Sequence, residues 1–188
     1  MISIIQHTKN LKHRAILALI YSAGLRISEL LNLKLEHIQI QRKQLLIKNA
    51  KGRKDRYVTL AESFMPLLHN YLITYRPEIY FVEGTKGKPY SASSVRKFLF
   101  RSCKSAYILR TVTPHTLRHS YATHLLESGV GLRHIQELLG HSRPETTMIY
   151  THVARKDLLD IQSPLDSAIK QLTKNQNEEQ KFLLSRKL

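Results

Sequence analysis

The sequence predicts a mainly α-helical protein that carries one small antiparallel β-sheet, an α+β class. Three observations lead there. Most of the chain up to about residue 150 divides into runs of helical length, with apolar side chains at helical spacing between capping residues and glycines. Only two short β-type runs stand out, and a basic, glycine-containing turn joins them. Hydrophobic residues make up 42% of the 188 residues, enough for a core in one ordinary domain plus a tail.

The elements follow in order. Residues 9–22 read as a helix; Ala15, Leu17, Ala18, Leu19 and Ile20 make much of its surface apolar, so it should be buried, and Gly24 breaks it. Ser28 and Glu29 then suit a helix start, with Leu30, Leu31 and Leu33 as core. Residues 44–49 and 57–60 read as strands of a hairpin joined through AKGRKDR. Residues 61–75 form the next helix, with Pro66 in its first turn, where a missing donor is tolerated. Residues 80–82 are a short strand or an extended piece, and 83–89 are a loop with two glycines. Residues 91–106 are an amphipathic helix: Val95, Phe98, Leu99 and Cys103 face inward, and Arg96, Lys97, Arg101 and Lys104 face out.

The stretch from Thr113 to His152 is the densest in chemistry. Thr113 caps a helix and Pro114 takes its first position. His115 and Arg118, three apart, share a face, while Leu117, Tyr121 and Leu125 form a core-facing stripe. Gly129 ends that helix. A second runs over 132–139 and stops at Gly140, directly before His141. Ser142 and Glu145 fit a capping box for a third, short helix, near whose end lies Tyr150. A domain over 1–163 is expected, then a break at Pro164 and a tail over 164–188, with Leu165, Ala168, Ile169 and Leu172 at helical spacing.

Thirty Lys and Arg stand against fourteen Asp and Glu, a formal charge of +16. Such an excess in a chain with a core suggests a polyanion partner, most often nucleic acid; a merely soluble basic surface and a membrane-surface binder are the other readings. Lys48, Arg53, Lys54 and Arg56, on and around the hairpin turn, are candidate DNA contacts; a solvated charged loop is the other reading of Arg53 and Lys54. The single Cys103 excludes an internal disulfide and a cysteine-based zinc cluster. No apolar run reaches membrane-spanning length, and no basic region precedes the apolar start, so a cytoplasmic setting without membrane attachment is expected. His119, His124 and His134 lie near the motif histidines, but no HExxH occurs and carboxylates and thiols are sparse there, so no metal site is expected. His119 reads as a structural residue, and Tyr57, Tyr107 and Tyr121 as packing.

HxxR at His115 and Arg118, LGH ending at His141, and a tyrosine nine residues further at Tyr150 together resemble the catalytic C-terminal domain of the tyrosine site-specific recombinases, the phage-integrase and Xer-like family. GLRISELLNL, containing Arg26, matches that family's first active-site box. The AKG at Ala50 to Gly52 is similar to its GKG hairpin turn, with Lys51 as the matching lysine and Lys54 as a competing candidate. The resemblance covers roughly residues 11–163. It implies the tyrosine recombinase catalytic-domain fold and six catalytic residues: Arg26, Lys51, His115, Arg118, His141 and Tyr150.

That residue set suits phosphodiester chemistry. Guanidinium groups stay charged and fork onto phosphate oxygens. A phenol with a reference pKa of about 10 is a weak nucleophile and needs a proton acceptor. The resemblance implies site-specific DNA cutting and rejoining through a 3′-phosphotyrosine, with no cofactor, metal or ATP, by a homo-oligomer (a tetramer) on DNA. Two alternatives share the pattern: a type IB topoisomerase-like relaxation of supercoils, and a non-catalytic DNA-binding regulator on the same fold. It also implies that the tail docks on a neighbouring protomer. Full-length relatives carry an N-terminal DNA-clamping domain; here about ten residues precede the first expected helix, so a truncated or stand-alone catalytic domain is expected. DNA binding by this chain alone should then be weak and lose affinity steeply with salt; a filter-binding titration at rising ionic strength checks this, and tight, salt-insensitive binding would contradict it.

Overall fold

In a computed structural model of the chain, the described residues are 1–48, 55–141 and 145–149. The chain divides into two compact units, Met1–Ala154 and Arg155–Leu188. The second, with the expected tail, lies outside the described residues.

Helices α1 (Ile2–Gln6), α2 (Leu11–Ala23) and α3 (Ile27–Leu31) come first. A three-stranded sheet follows, β1 (Ile38–Gln39), β2 (Gln44–Ile47) and β3 (Arg56–Thr59), and then α4 (Met65–Tyr75), α5 (Ala92–Ser105), α6 (Pro114–Glu127), α7 (Leu132–Leu139) and α8 (Glu145–Met148). Helix α2 is the hub. Ala15, Ile16, Leu17, Leu19, Ile20 and Ala23 are all buried, because α2 touches α1, α4, α5 and α6. A helix wrapped on several sides needs apolar residues on several sides, which is why its sequence lacks a clean polar face. Asn10 caps it by accepting the His13 amide, and Gly24 closes it in the left-handed region at φ +61°.

The sheet is antiparallel in the order β1-β2-β3. Its register pairs Leu45 with Val58 and Ile47 with Arg56. Side chains alternate across a strand, so Leu45, Ile47, Val58 and Arg56 share the inward face, while Tyr57 and Thr59 point out.

The expected helices are present, with Ser91 capping α5, Thr113 and Pro114 starting α6 and Gly140 closing α7 at φ +63°; α3 begins at Ile27 with Arg26, not Ser28, as its N-cap, and Ser142, the expected cap of α8, lies outside the described residues. Pro66 sits in the first turn of α4. Four other expectations change. The apolar N-terminus folds as α1 and buries Ile4. The expected hairpin gains a third strand, β1. The stripe on α6 is not a single seam: Leu117 belongs to the main core, while Tyr121 and Leu125 are half-buried around a smaller cluster of Ala122, Ile135 and Leu139. Helix α6 divides its apolar side chains between two cores, so no one spacing describes it. Tyr57 and Tyr107, expected as packing, are exposed. Tyr57 lies on the outward face of β3, and Tyr107 follows α5 at a positive φ of 56°.

Gly24 is required twice over. A Cβ there would lie 2.4 Å from the Tyr121 ring, and φ is +61°. Gly129 also has positive φ (+85°), but nothing lies within 4 Å of the space a Cβ would fill. Gly24→Ala should therefore destabilise by roughly 2–4 kcal/mol, against about 1–2 kcal/mol for Gly129→Ala. Urea unfolding midpoints of the two variants compare them directly.

Candidate active site

Three arginines that ought to repel one another are gathered in one place. At an effective dielectric of 20, two like charges about 5 Å apart repel by roughly 3 kcal/mol, so the fold must supply compensating negative charge. Two helix C-termini and one carboxylate supply it.

Helix α7 ends at Gly140, leaving the carbonyls of its last turn without helical partners. The negative end of the helix dipole points the same way. Arg56 Nε donates to the Leu138 carbonyl at 2.9 Å, and Arg118 Nη2 to the Leu139 carbonyl at 2.7 Å. Arg26 reaches the Leu139 and Gly140 carbonyls at 3.4 Å each. The second helix end is that of α2: Arg118 Nη1 donates to the Gly24 carbonyl at 2.7 Å. Arg118 is thereby 2% exposed, among the largest fully buried side chains of the described residues.

The carboxylate is Glu29, at the third position of α3. It caps the helix that Arg26 begins, accepting the Arg26 amide at 2.8 Å and Arg26 Nη1 at 2.7 Å. Arg56 forks onto both its oxygens at 2.9 and 2.8 Å, and Arg118 Nη1 lies 3.6 Å from one of them. Burial by itself would push this carboxyl up; the hydrogen bonds and charge of Arg56, then the bonds from Arg26, outweigh it and hold the acid below its ordinary value.

His141 follows Gly140 directly, so the left-handed turn that ends α7 also aims this ring at the cluster. Its Nε2 is 3.1 Å from Arg118 Nη2, and its Nδ1 is 2.9 Å from Thr147 Oγ1 on α8. A guanidinium only donates, so Nε2 accepts and the ring proton resides on Nδ1, donated to Thr147. Burial, and then the charges of Arg118, Arg26 and Arg56, push the imidazole down to about 4. His141 is therefore neutral at neutral pH.

The expected residues fall into three groups. Arg26, Arg118 and His141, far apart in sequence, come together. His115 stands exposed on the first turn of α6, one turn before Arg118. Lys51, Arg53, Lys54 and Tyr150 lie outside the described residues. Of the remaining candidate DNA contacts, Lys48 is exposed at the end of β2, at the edge of a polar cavity of about 410 Å³. Arg56, expected beside it at the surface, is turned inward: its side chain is 9% exposed and its donors go to Glu29 and Leu138. The alternation Arg56-Tyr57-Val58-Thr59-Leu60 carried that signal, since Val58 and Leu60 share its inward parity. Glu29 and Thr147 were missed as site residues. For Glu29 the signal was its place three residues after Arg26, where a capping carboxylate must also meet the arginine. For Thr147 the sequence held none. Neither His124, bonded to Tyr21 at 2.7 Å, nor the exposed His134 belongs to the arginine cluster.

The chain is similar in sequence and in fold to known proteins. A tyrosine recombinase of Thermosipho africanus (strain TCF52B) is 42% identical over 160 residues, covering 85% of this chain and 56% of the relative. The crystal structure of XerA recombinase superposes with a TM-score of 0.75 at 30% identity, over 93% of this chain and 61% of that one. XerH site-specific recombinase, solved with its difH substrate in a pre-cleavage complex, gives 0.71 at 27% identity, over 79% and 47%. The chain thus spans little more than half the length of the curated relative. The fold is that of tyrosine recombinase catalytic domains. The phage integrase family model matches residues 1–157, and the chain belongs to that family.

Proposed function

We propose that this chain is the catalytic part of a site-specific DNA recombinase that cuts and rejoins strands of double-stranded DNA through a covalent 3′-phosphotyrosine. The observation that carries this reading is the convergence of Arg26, Arg118 and His141 on one carboxylate-braced cluster. Relatives named as recombinases, one of them solved with a DNA substrate, support it.

The step balances as follows. Tyr150 Oη attacks the phosphorus and loses its proton to His115. The phosphorus–O5′ bond breaks, and O5′ takes a proton from Lys51 as general acid. The non-bridging oxygens gain charge in the transition state, where Arg26 and Arg118 face them. The phosphotyrosine keeps the ester's bond energy, so a 5′-hydroxyl from another strand reverses the step without ATP or metal. Lys48, Arg53 and Lys54 contact the DNA backbone, and assembly is as a homo-oligomer on DNA, with the tail over 164–188 docking on a neighbouring copy. Among the described residues no helix is long and apolar enough to cross a membrane; a cytoplasmic setting is part of the proposal.

The resting His141 accepts from Arg118. A phosphate oxygen that takes over the Arg118 Nη2 edge releases Nε2, which must then carry a proton to donate to the phosphate. Thr147 makes that exchange cheap, because its hydroxyl accepts from Nδ1–H in one tautomer and donates to Nδ1 in the other.

Two outcomes check this reading. On a nicked suicide substrate that loses its 5′-hydroxyl fragment, the wild type should accumulate a protein–DNA adduct stable to denaturing electrophoresis. Tyr150→Phe should form none, and an adduct undiminished in that variant would overturn the assignment. The second is a stability profile. The folded pKa of His141, about 4, lies below the unfolded 6.5, so the unfolded state binds more protons between those values and stability falls as pH drops through that window. Against wild type, His141→Asn should lose about one proton's share of that slope in thermal unfolding between pH 6.5 and 4.

A further inference from the structure

The arginine cluster contains one cation more than the strand-cleavage reading uses. Glu29 braces Arg26 and lies near Arg118, yet a carboxylate at that point also works against the reaction. Its charge cancels one of the two positive charges that a DNA phosphate should meet. We propose that Arg56 is a positioning residue that neutralises Glu29, so that the carboxylate orients Arg26 and Arg118 without drawing off their charge. This rests on the proposed strand cleavage and deepens it.

Four features support the assignment. The guanidinium of Arg56 forks onto both Glu29 oxygens, at 2.9 and 2.8 Å, whereas Arg26 Nη1 takes one oxygen and Arg118 lies at 3.6 Å. The inward parity of β3 and its pairing with Ile47 hold the side chain 9% exposed, so it is aimed at the carboxylate and not at solvent or passing DNA. Its Nε is fixed by the Leu138 carbonyl. The bare Cα of Gly140 makes room for it: a Cβ there would stand 3.0 Å from Arg56 Nη1. Glycine is thus needed between Leu139 and His141 for this packing as well as for its backbone angle.

The charges state the role. Arg26, Arg56 and Arg118 with Glu29 and a neutral His141 sum to +2. Without Arg56 the sum is +1, and a half-satisfied buried carboxylate competes with the phosphate for both remaining arginines. Lysine would keep the sum but not the fork, since an ammonium is a point charge.

The test is single-turnover cleavage of the nicked substrate, with duplex-binding affinity and thermal midpoint measured on the same preparations. Arg56→Gln keeps hydrogen-bonding capacity and loses the charge; its cleavage should fall about 100-fold while the affinity for DNA changes less than about fivefold. Arg56→Lys should stay within about tenfold of wild type. The Arg56→Gln, Glu29→Gln double variant removes the stranded anion together with its partner, and should cleave about tenfold faster than Arg56→Gln alone. A merely structural arginine would give equal losses for lysine and glutamine, and a double variant no faster than the single; either result overturns the proposal. If Arg56→Gln does not fold, the double variant decides by itself: cleavage within about tenfold of Arg56→Lys supports the proposal, and a greater loss overturns it. A wild type that forms no adduct removes the cleavage reading itself, whereas a wild-type adduct with Arg56→Gln unimpaired removes only the role of Arg56.

Discussion

Everything at the site depends on the way α7 ends. Gly140 takes a backbone angle that a residue with a Cβ adopts only under strain, and in doing so it opens the carbonyls of Leu138, Leu139 and itself to three guanidinium groups. The same turn delivers His141 against Arg118. A helix terminus is normally left to water or a capping side chain; here its unsatisfied acceptors and its dipole hold cations that chain connectivity alone would never assemble.

A cluster of like charges cannot be braced by acceptors alone, and Glu29 completes it. The arrangement belongs to the buried ion pairs whose value lies less in net stability than in geometry: desolvation offsets much of the attraction, but removing one partner leaves a buried charge uncompensated, at a cost of about 3–5 kcal/mol. Such a network is stiff. It fixes the arginines in place, as the proposed strand cleavage would require of groups that stabilise a developing charge. The burial of Arg118 follows from the same logic. A guanidinium held by Gly24, Leu139 and His141 is oriented by backbone that the core keeps still.

The hydrophobic core serves this end. Helix α2 is buried on several sides, so its C-terminal Gly24 carbonyl is a fixed point, and the Tyr121 ring packed where a Gly24 side chain would be ties α6 to it. Helix α6 carries Arg118, and β3 carries Arg56 from the other direction. Helix α7 touches both, and it gives Ile135 and Leu139 to the smaller core beside Ala122 of α6.

What the sequence by itself determined was local. Caps, glycine stops and helical spacing placed α2, α4, α5, α6 and α7, because those signals act within a few residues of one another. GLRISELLNL, HxxR and LGH supplied Arg26, Arg118 and His141, the three residues found together, through their resemblance to a family's motifs, while His115 of the same HxxR stands apart. What only the tertiary structure decided was non-local: that Arg56 turns inward to Glu29, that His141 accepts from Arg118 and donates to Thr147, and that Tyr57 and Tyr107 face solvent. Inward parity was readable on β3, but which carboxylate waits there depends on packing a helix from residue 29 against a strand from residue 56 and a helix end at residue 140. No periodicity within any one segment encodes that meeting; it arises when the buried faces close on each other.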